Sequence, residues 1–126
     1  MIILISIWGV NMEDLLIEVL STFGYPVILQ GSLLPDEPYP DHFFTFWNND
    51  STSLFYDNEE HSIIYDYDVN FYSIDPELVY SKLREAKLKL KLAGFIVTGD
   101  GYTVGSDEPT HDGRGINVVG IKRGGN

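Results

Sequence analysis

The sequence predicts an α+β domain: an antiparallel β-sheet of about four to five strands with two α-helices packed on one face, in the order α-β-β-β-α-β-β. Three observations lead there. Two stretches carry apolar residues at helical spacing between capping residues, one ten-residue run alternates with the period of a strand, and few connections are long enough for the crossovers that parallel strands need. The 126 residues suffice for one domain with a proper core and not for two, so the chain is read as a single domain with its core at 12–123. Fifteen Phe and Tyr and two Trp supply apolar material that a disordered chain lacks.

Ahead of that core, "MIILISIWGV" makes an apolar extension over residues 1–11. It has no basic n-region or small-residue cleavage site, and it is about half the length of a membrane span, so neither a signal peptide nor a bilayer anchor is expected. Two readings stay open: an additional edge strand, or a start codon placed too early, with Met12 opening the first helix.

The first helix is bounded by Asn11 as N-cap and Gly24 as a left-handed terminator, with Glu13 and Asp14 at the positive end of the dipole. Met12, Leu15, Leu16, Val19, Leu20 and Phe23 form its apolar stripe. "YPVILQ" then reads as a strand from about Pro26 to Gln30. The following "GSLLPDEPYPD" has three prolines and cannot be regular. Its Leu33, Leu34 and Tyr39 either tuck back onto the core or offer a contact surface.

"HFFTFWN" (His42 to Asn48) reads as a strand, with "TSLFY" as a short continuation past a turn at Asn48 to Ser51. The clearest strand follows, where Ile63, Tyr65, Tyr67, Val69 and Phe71 alternate with Ile64, Asp66, Asp68, Asn70 and Tyr72. Period two over ten residues predicts one buried and one wet face, with Asp66 and Asp68 sharing a face roughly 7 Å apart.

The second helix has Asp75 as N-cap, Pro76 in the first turn, Glu77 at the positive dipole end and Gly94 as C-cap glycine. Val79, Leu83, Ala86, Leu90 and Ala93 make its stripe, which Leu78, Leu88 and Leu92 are expected to widen, while Lys82, Arg84, Lys87, Lys89 and Lys91 occupy the outer face. The last elements are a hairpin turning at Gly99-Asp100-Gly101 and a closing strand in "GINVVGIK".

Composition removes several chemistries. There is no cysteine, hence no thiol catalysis, thiolate metal site or disulfide. The net charge of −11 divides unevenly, with −14 over residues 1–81 and +3 over 82–126. So acidic a first part repels phosphate backbones, which argues against stable nucleic-acid binding, while regions of opposite sign steer copies together head to tail.

The glycine- and acid-rich "TGDGYTVGSDEPTHDGRGI" (Thr98 to Ile116) invites an ion or phosphate reading. Gly99, Gly101 and Gly105 miss the dinucleotide spacing, the segment has no lysine for a Walker loop, and an EF-type loop from Asp100 would put Tyr102 at position 3 and His111 at position 12. A looser hard-cation site from Asp107, Glu108, His111 and Asp112 remains chemically open. His42 and His61 lack metal-ligand spacing, and no serine sits in a nucleophile elbow. No catalytic residue, cofactor or resident metal is assigned.

Taken together, the leading helix, "YPVILQG", "HFFTFWN", "IIYDYDVNFYSIDPELVYSKLREAKLKLKLAGF" and "DEPTHDGRGINVVGI" resemble the tail terminator (tail-to-head joining, or tail completion) proteins of long-tailed bacteriophages and prophages. The resemblance covers about Met12 to Arg123 and rests on aromatic patterns, "AGF" after the second helix and the acid-Thr-His-Asp stretch. It implies a non-enzymatic virion-assembly protein that forms a hexameric ring, either free or only on assembly, at the head-proximal end of the tail. The ring would meet the tail-tube protein and the head connector or head-closure protein, and DNA would pass through without stable binding. Its place would be the virion neck, and the host cytoplasm during assembly. Candidate inter-subunit or docking contacts are Leu33, Leu34, Tyr39, Lys82, Arg84, Lys87, Lys89, Lys91, Asp107, Glu108, His111, Asp112 and Arg114. Two alternatives stand beside this reading: a metal-dependent hydrolase or metal-binding module using Asp66, Asp68, Asp107, Glu108 and His111, and another phage neck protein such as a head-closure protein.

Overall fold

The computed structural model describes residues 11–33, 36–56 and 59–123; the apolar stretch at 1–10 and Leu34 lie outside them. The elements run α1 (Met12–Ser21), β1 (Val27–Leu29), β2 (His42–Tyr56), β3 (Glu59–Ser73), α2 (Pro76–Leu92), β4 (Ile96–Val97), β5 (Tyr102–Val104) and β6 (Asp112–Arg123). They form one mixed sheet in the order β1-β2-β3-β6-β4, with β5 also on β6, and two helices against one face. The α+β class is therefore as expected.

Both helices begin and end where their caps dictate. The Asn11 side chain accepts from the amides of Glu13 and Asp14 at 3.0 and 3.2 Å, two donors the first turn would otherwise leave unpaired. In α2 the Asp75 carboxylate does the same for the Glu77 amide at 3.0 Å. At its other end Gly94, with φ of 103°, donates to the Lys91 carbonyl, and Phe95 donates to the Leu90 carbonyl at 2.9 Å. This is a Schellman stop, in which a glycine in the left-handed region reverses the chain and the next apolar residue folds back on the helix. "AGF" is that stop: Ala93 and Phe95 are buried beside Leu90.

The core lies between helices and sheet. Leu15, Leu16, Val19 and Leu20 of α1 and Leu83, Ala86 and Leu90 of α2 pack on Phe44, Phe46, Tyr67, Val69, Phe71, Ile116 and Val118. Each fully buried large side chain contributes about 1.5–3 kcal/mol. Phe44 and Phe71 pack with tilted rings, 4.6 Å between centroids, across the β2–β3 pair. Among the described residues no helix is long and apolar enough to cross a membrane.

Four local expectations change. First, β1 pairs with β2 in parallel, not antiparallel, through Val27–Phe44, Ile28–Thr45 and Leu29–Phe46. The proline-rich residues 30–41 between them are about the dozen that a parallel return requires. Second, no turn breaks the chain at Asn48 to Ser51; β2 runs on to Tyr56 and pairs with β3 throughout, the irregularity reduced to register shifts at Asn49/Thr52 and Leu54/Phe55.

Third, β4 and β5 are not a hairpin. Both pair antiparallel with β6, Val97 opposite Val118 and Tyr102 opposite Gly115, so they are one edge strand interrupted by a bulge. Gly99 and Gly101, with φ of 73° and 97°, turn that bulge instead of reversing the chain. Fourth, Leu88 and Leu92 do not widen the α2 stripe; both are exposed. At about 100° per residue Leu88 lies roughly 180° from Val79.

The face away from the helices is only partly wet. Phe43 is buried there and stacks on Tyr72 at 5.2 Å, while Thr45 and Asn70 are buried beside them. Gly113 and Gly115 sit in β6 under these side chains: a Cβ on Gly113 would come within 2.7 Å of the Tyr72 ring, and one on Gly115 would meet Asn70 Oδ1 and, at 2.9 Å, the Tyr102 ring. These glycines serve close packing.

Gly115→Ala is expected to cost about 1–3 kcal/mol by overpacking, whereas Gly105→Ala, which meets open space, stays within about 0.5 kcal/mol; denaturant midpoints measure both. A second expectation concerns Tyr67, which is 1% exposed. Burial foremost, then the Glu13 carboxylate and Tyr65, push its phenol from 10.0 up to about 12. Because the folded value is the higher one, the stability it contributes is complete below pH 10.0 and lost as pH rises through about 12. Tyr67→Phe should flatten the loss of stability over that alkaline window, followed by fluorescence, and an unchanged profile would refute the assignment.

Candidate functional site

The sheet places the expected contact residues in two separate regions. On the face away from the helices, the connection after β1 and the segment before β6 meet around His111. The His111 ring is 8% exposed, and its Nε2 donates to the Pro40 carbonyl at 2.8 Å. That leaves Nδ1 to accept from the Thr110 hydroxyl at 3.0 Å. Tyr39 and Phe43 pack on the ring edge to face, at 5.8 and 5.9 Å. The segment before β6 is also tied within itself: the Ser106 hydroxyl accepts from the Glu108 amide and donates to its carbonyl, and the His111 amide donates to the Glu108 carbonyl. The acidic segment is thus anchored, and the sequence signal for that is its single histidine, whose two ring nitrogens both find partners.

Beside this clamp Leu33, Tyr39 and Asp107 line a cleft of about 170 Å³ with Ile28, Phe43 and Tyr72. Tyr39 therefore tucks onto the fold, and Leu33 borders the cleft at its side. Burial pushes the Tyr72 phenol upward. Asp107 and Asp112 are exposed, and Glu108 is half-buried.

Further along the same face, Asp66 and Asp68 stand together as the alternation requires, but as acceptors in an amide network. Asp66 Oδ1 takes hydrogen bonds from Asn117 at 2.6 Å and Asn49 at 3.1 Å, and Asn117 also lies 3.4 Å from Asp68 Oδ1. Their neighbours across the strands are Trp47, 48% exposed, and Tyr102, also exposed. Burial first, then the Asp68 and Asp66 carboxylates, raise the Tyr102 phenol. Nothing in the local sequence singled out Asn49, Asn117, Trp47 or Tyr102; only the register brings them to one place.

The described residues do not gather Asp66 and Asp68 with Asp107, Glu108 and His111, and among them no three His, Asp or Glu converge as metal ligands do.

The second region is the outer side of α2. Its five cations are not equivalent. Lys89 donates to the Thr22 hydroxyl at 2.9 Å and lies 4.3 Å from the centroid of the Phe23 ring, tying α2 to the end of α1. Lys87 donates to the Gly99 carbonyl and reaches Asp100 at 3.4 Å. Lys82 pairs with Glu85 at 3.3 Å, a surface contact worth little. Arg114 comes from β6, donates to the Asp100 carbonyl at 3.1 Å and lies 4.6 Å from the Tyr80 ring. Lys82, Lys87, Lys89 and Arg114 thus have structural partners, and among the described residues Arg84 and Lys91 show no hydrogen-bond or ion-pair partner while standing exposed. Arg84, Lys87 and Arg114 line a shallow hollow whose acidic member is Asp100.

His111→Ala removes the bond to Pro40 and the ring contacts with Tyr39 and Phe43, and should cost about 1–3 kcal/mol. It should also speed proteolytic cleavage near residues 36–40 and 105–110; unchanged stability and cleavage would show that the clamp is incidental. Comparison of the sequence with protein-family models and with curated proteins finds no match.

Proposed function

We propose that this chain is a structural, non-enzymatic virion-assembly protein, a tail terminator that caps the head-proximal end of a phage tail tube as a ring and joins it to the head connector. The observation that carries the reading is the division of charge between the β2–β3 pair and α2. The β2–β3 pair, residues 42–73, holds six Asp and Glu and no Lys or Arg. The helix on the opposite side of the sheet, α2, holds five Lys and Arg against two Glu. The basic charge is local to α2, since α1 beside it adds Glu13, Asp14 and Glu18. An acidic strand pair and a basic helix on one molecule repel their like in another copy and attract each other, and repeated head-to-tail contacts close into rings when the rotation allows. The sequence resemblance over Met12 to Arg123 supports the same reading, although the "AGF" part of it is a helix stop that unrelated helices share. An acidic surface turned to a lumen would let DNA slide without being held.

Light scattering or native mass spectrometry, with and without tail-tube protein at low and high salt, tests the proposal. The expected result is a species near six subunit masses, free or on mixing with tube protein, that dissociates as salt screens the exposed charges. A chain that stays monomeric when concentrated and when mixed with the tube protein sinks the ring. A chelator-reversible rise in Tm with Zn2+ or Mn2+ would favour the metal-binding alternative instead.

A further inference from the structure

Resting on the ring reading, we infer which surfaces meet: the exposed ridge of α2 in one copy docks on the Trp47–Asp68–Tyr102 face of the sheet in the next. The ridge is Arg84, Leu88, Lys91 and Leu92, spaced i, i+4, i+7 and i+8 and therefore along one side of the helix. Leu92 is 77% exposed and Leu88 58%, an unusual arrangement for two leucines one turn apart unless something covers them. Between and beside them stand Arg84 and Lys91, the α2 cations without partners among the described residues. The neighbouring hollow adds Lys87 and Arg114, offset in part by Asp100, which pairs with Lys87.

The receiving face has the complementary chemistry. Trp47 and Tyr102 expose large flat rings, and Asp66 and Asp68 lie between their strands with neutral amide partners only, so their charge is uncompensated within the described residues. The one cation that strand alternation puts on this side is Arg123, at the far end of β6. Dimensions agree as well. From Arg84 to Leu92 the helix rises about 12 Å, and from Trp47 on β2 across β3 and β6 to Tyr102 on β5 is three strand spacings, about 14 Å.

The occupant is a second copy, and within it α2. The other helix, α1, carries Glu13, Asp14 and Glu18 and no Lys or Arg, so it would be repelled. Two sheet faces would set carboxylates against carboxylates, and two α2 ridges cations against cations. Only helix against sheet places leucine on aromatic and arginine or lysine on aspartate, a contact whose apolar centre and charged surround match those of energetic interface centres.

Charge reversal tests this. Asp66→Lys/Asp68→Lys changes the sheet face alone, and Arg84→Glu/Lys91→Glu the ridge alone. Each variant should lose assembly under conditions where the unaltered chain forms rings, and the chain carrying all four substitutions should regain it, because the signs are again complementary. Since Asp66 holds Asn49 and Asn117, a second measurement avoids that site. The chain has no cysteine, so a copy with Trp47→Cys mixed with a copy with Leu88→Cys should give a covalent dimer on mild oxidation, in excess of either copy alone. Rings that persist in both reversal variants, a four-fold variant that stays monomeric, or no excess of mixed dimer would overturn the docking while leaving the ring in place. An unaltered chain that is monomeric with and without tube protein overturns both.

Discussion

Every layer of this domain takes its position from β3, the central strand, which is paired along most of its length on both sides. It is bonded to β2 from His42–Ser73 to Tyr56–Glu59 and to β6 from Ser62–Arg123 to Ser73–Asp112, so its own backbone groups are spent on the ladder and its side chains alone decide what lies above and below. Val69 and Phe71 face the helices, and Asp68, Asn70 and Tyr72 face away. A slip of one residue would exchange these sets and bury two aspartates under α1 and α2, a cost that fixes the register firmly.

Features set by neighbouring residues were legible in the sequence. Asn11, Asp75, Pro76, Gly24 and Gly94 act through hydrogen bonds and backbone angles within a turn of themselves, and they stand where their chemistry predicts. The alternation of β3 was equally plain. What the sequence left hidden depends on partners far along the chain. Gly99 and Gly101 supply positive φ to a hairpin and to a bulge alike, and only the ladder to β6 distinguishes the two. Gly113 and Gly115 read as loop glycines until Tyr72 and Tyr102 are seen lying over them. The parallel β1–β2 pair was obscured because a crossover without a helix has no periodicity to betray it.

The surface follows the same division. Four lysines and an arginine on one helix suggested a uniform basic face, yet Lys82, Lys87 and Lys89 reach partners at three different distances along the chain, three, thirteen and sixty-seven residues away. Leu88 and Leu92 show the converse: counted as apolar, they fit the stripe, but helical angle sets them opposite it. The expected contact list names side chains of α2 and of the segment around His111, and could not separate those that hold the fold from those left exposed. Arg84, Lys91, Trp47 and Tyr102 belong to the second group.

Short segments cap parts of both borders of the sheet. On one side β1 is three residues long and bracketed by Pro26 and by Gly31 at φ of 83°. On the other, β4 and β5 offer two and three residues with a bulge between them that Lys87 and Arg114 hold by its carbonyls. The protection does not run the length of the border: β1 pairs with β2 only at Phe44, Thr45 and Phe46, and from Trp47 to Tyr56 β3 is the one strand that pairs with β2 among the described residues, a long flank of the kind along which sheets of separate molecules join unless something covers it. Copies of this chain crowded together would therefore have a strand flank as well as broad surfaces to join by, and an assembly that closes has that flank to cover.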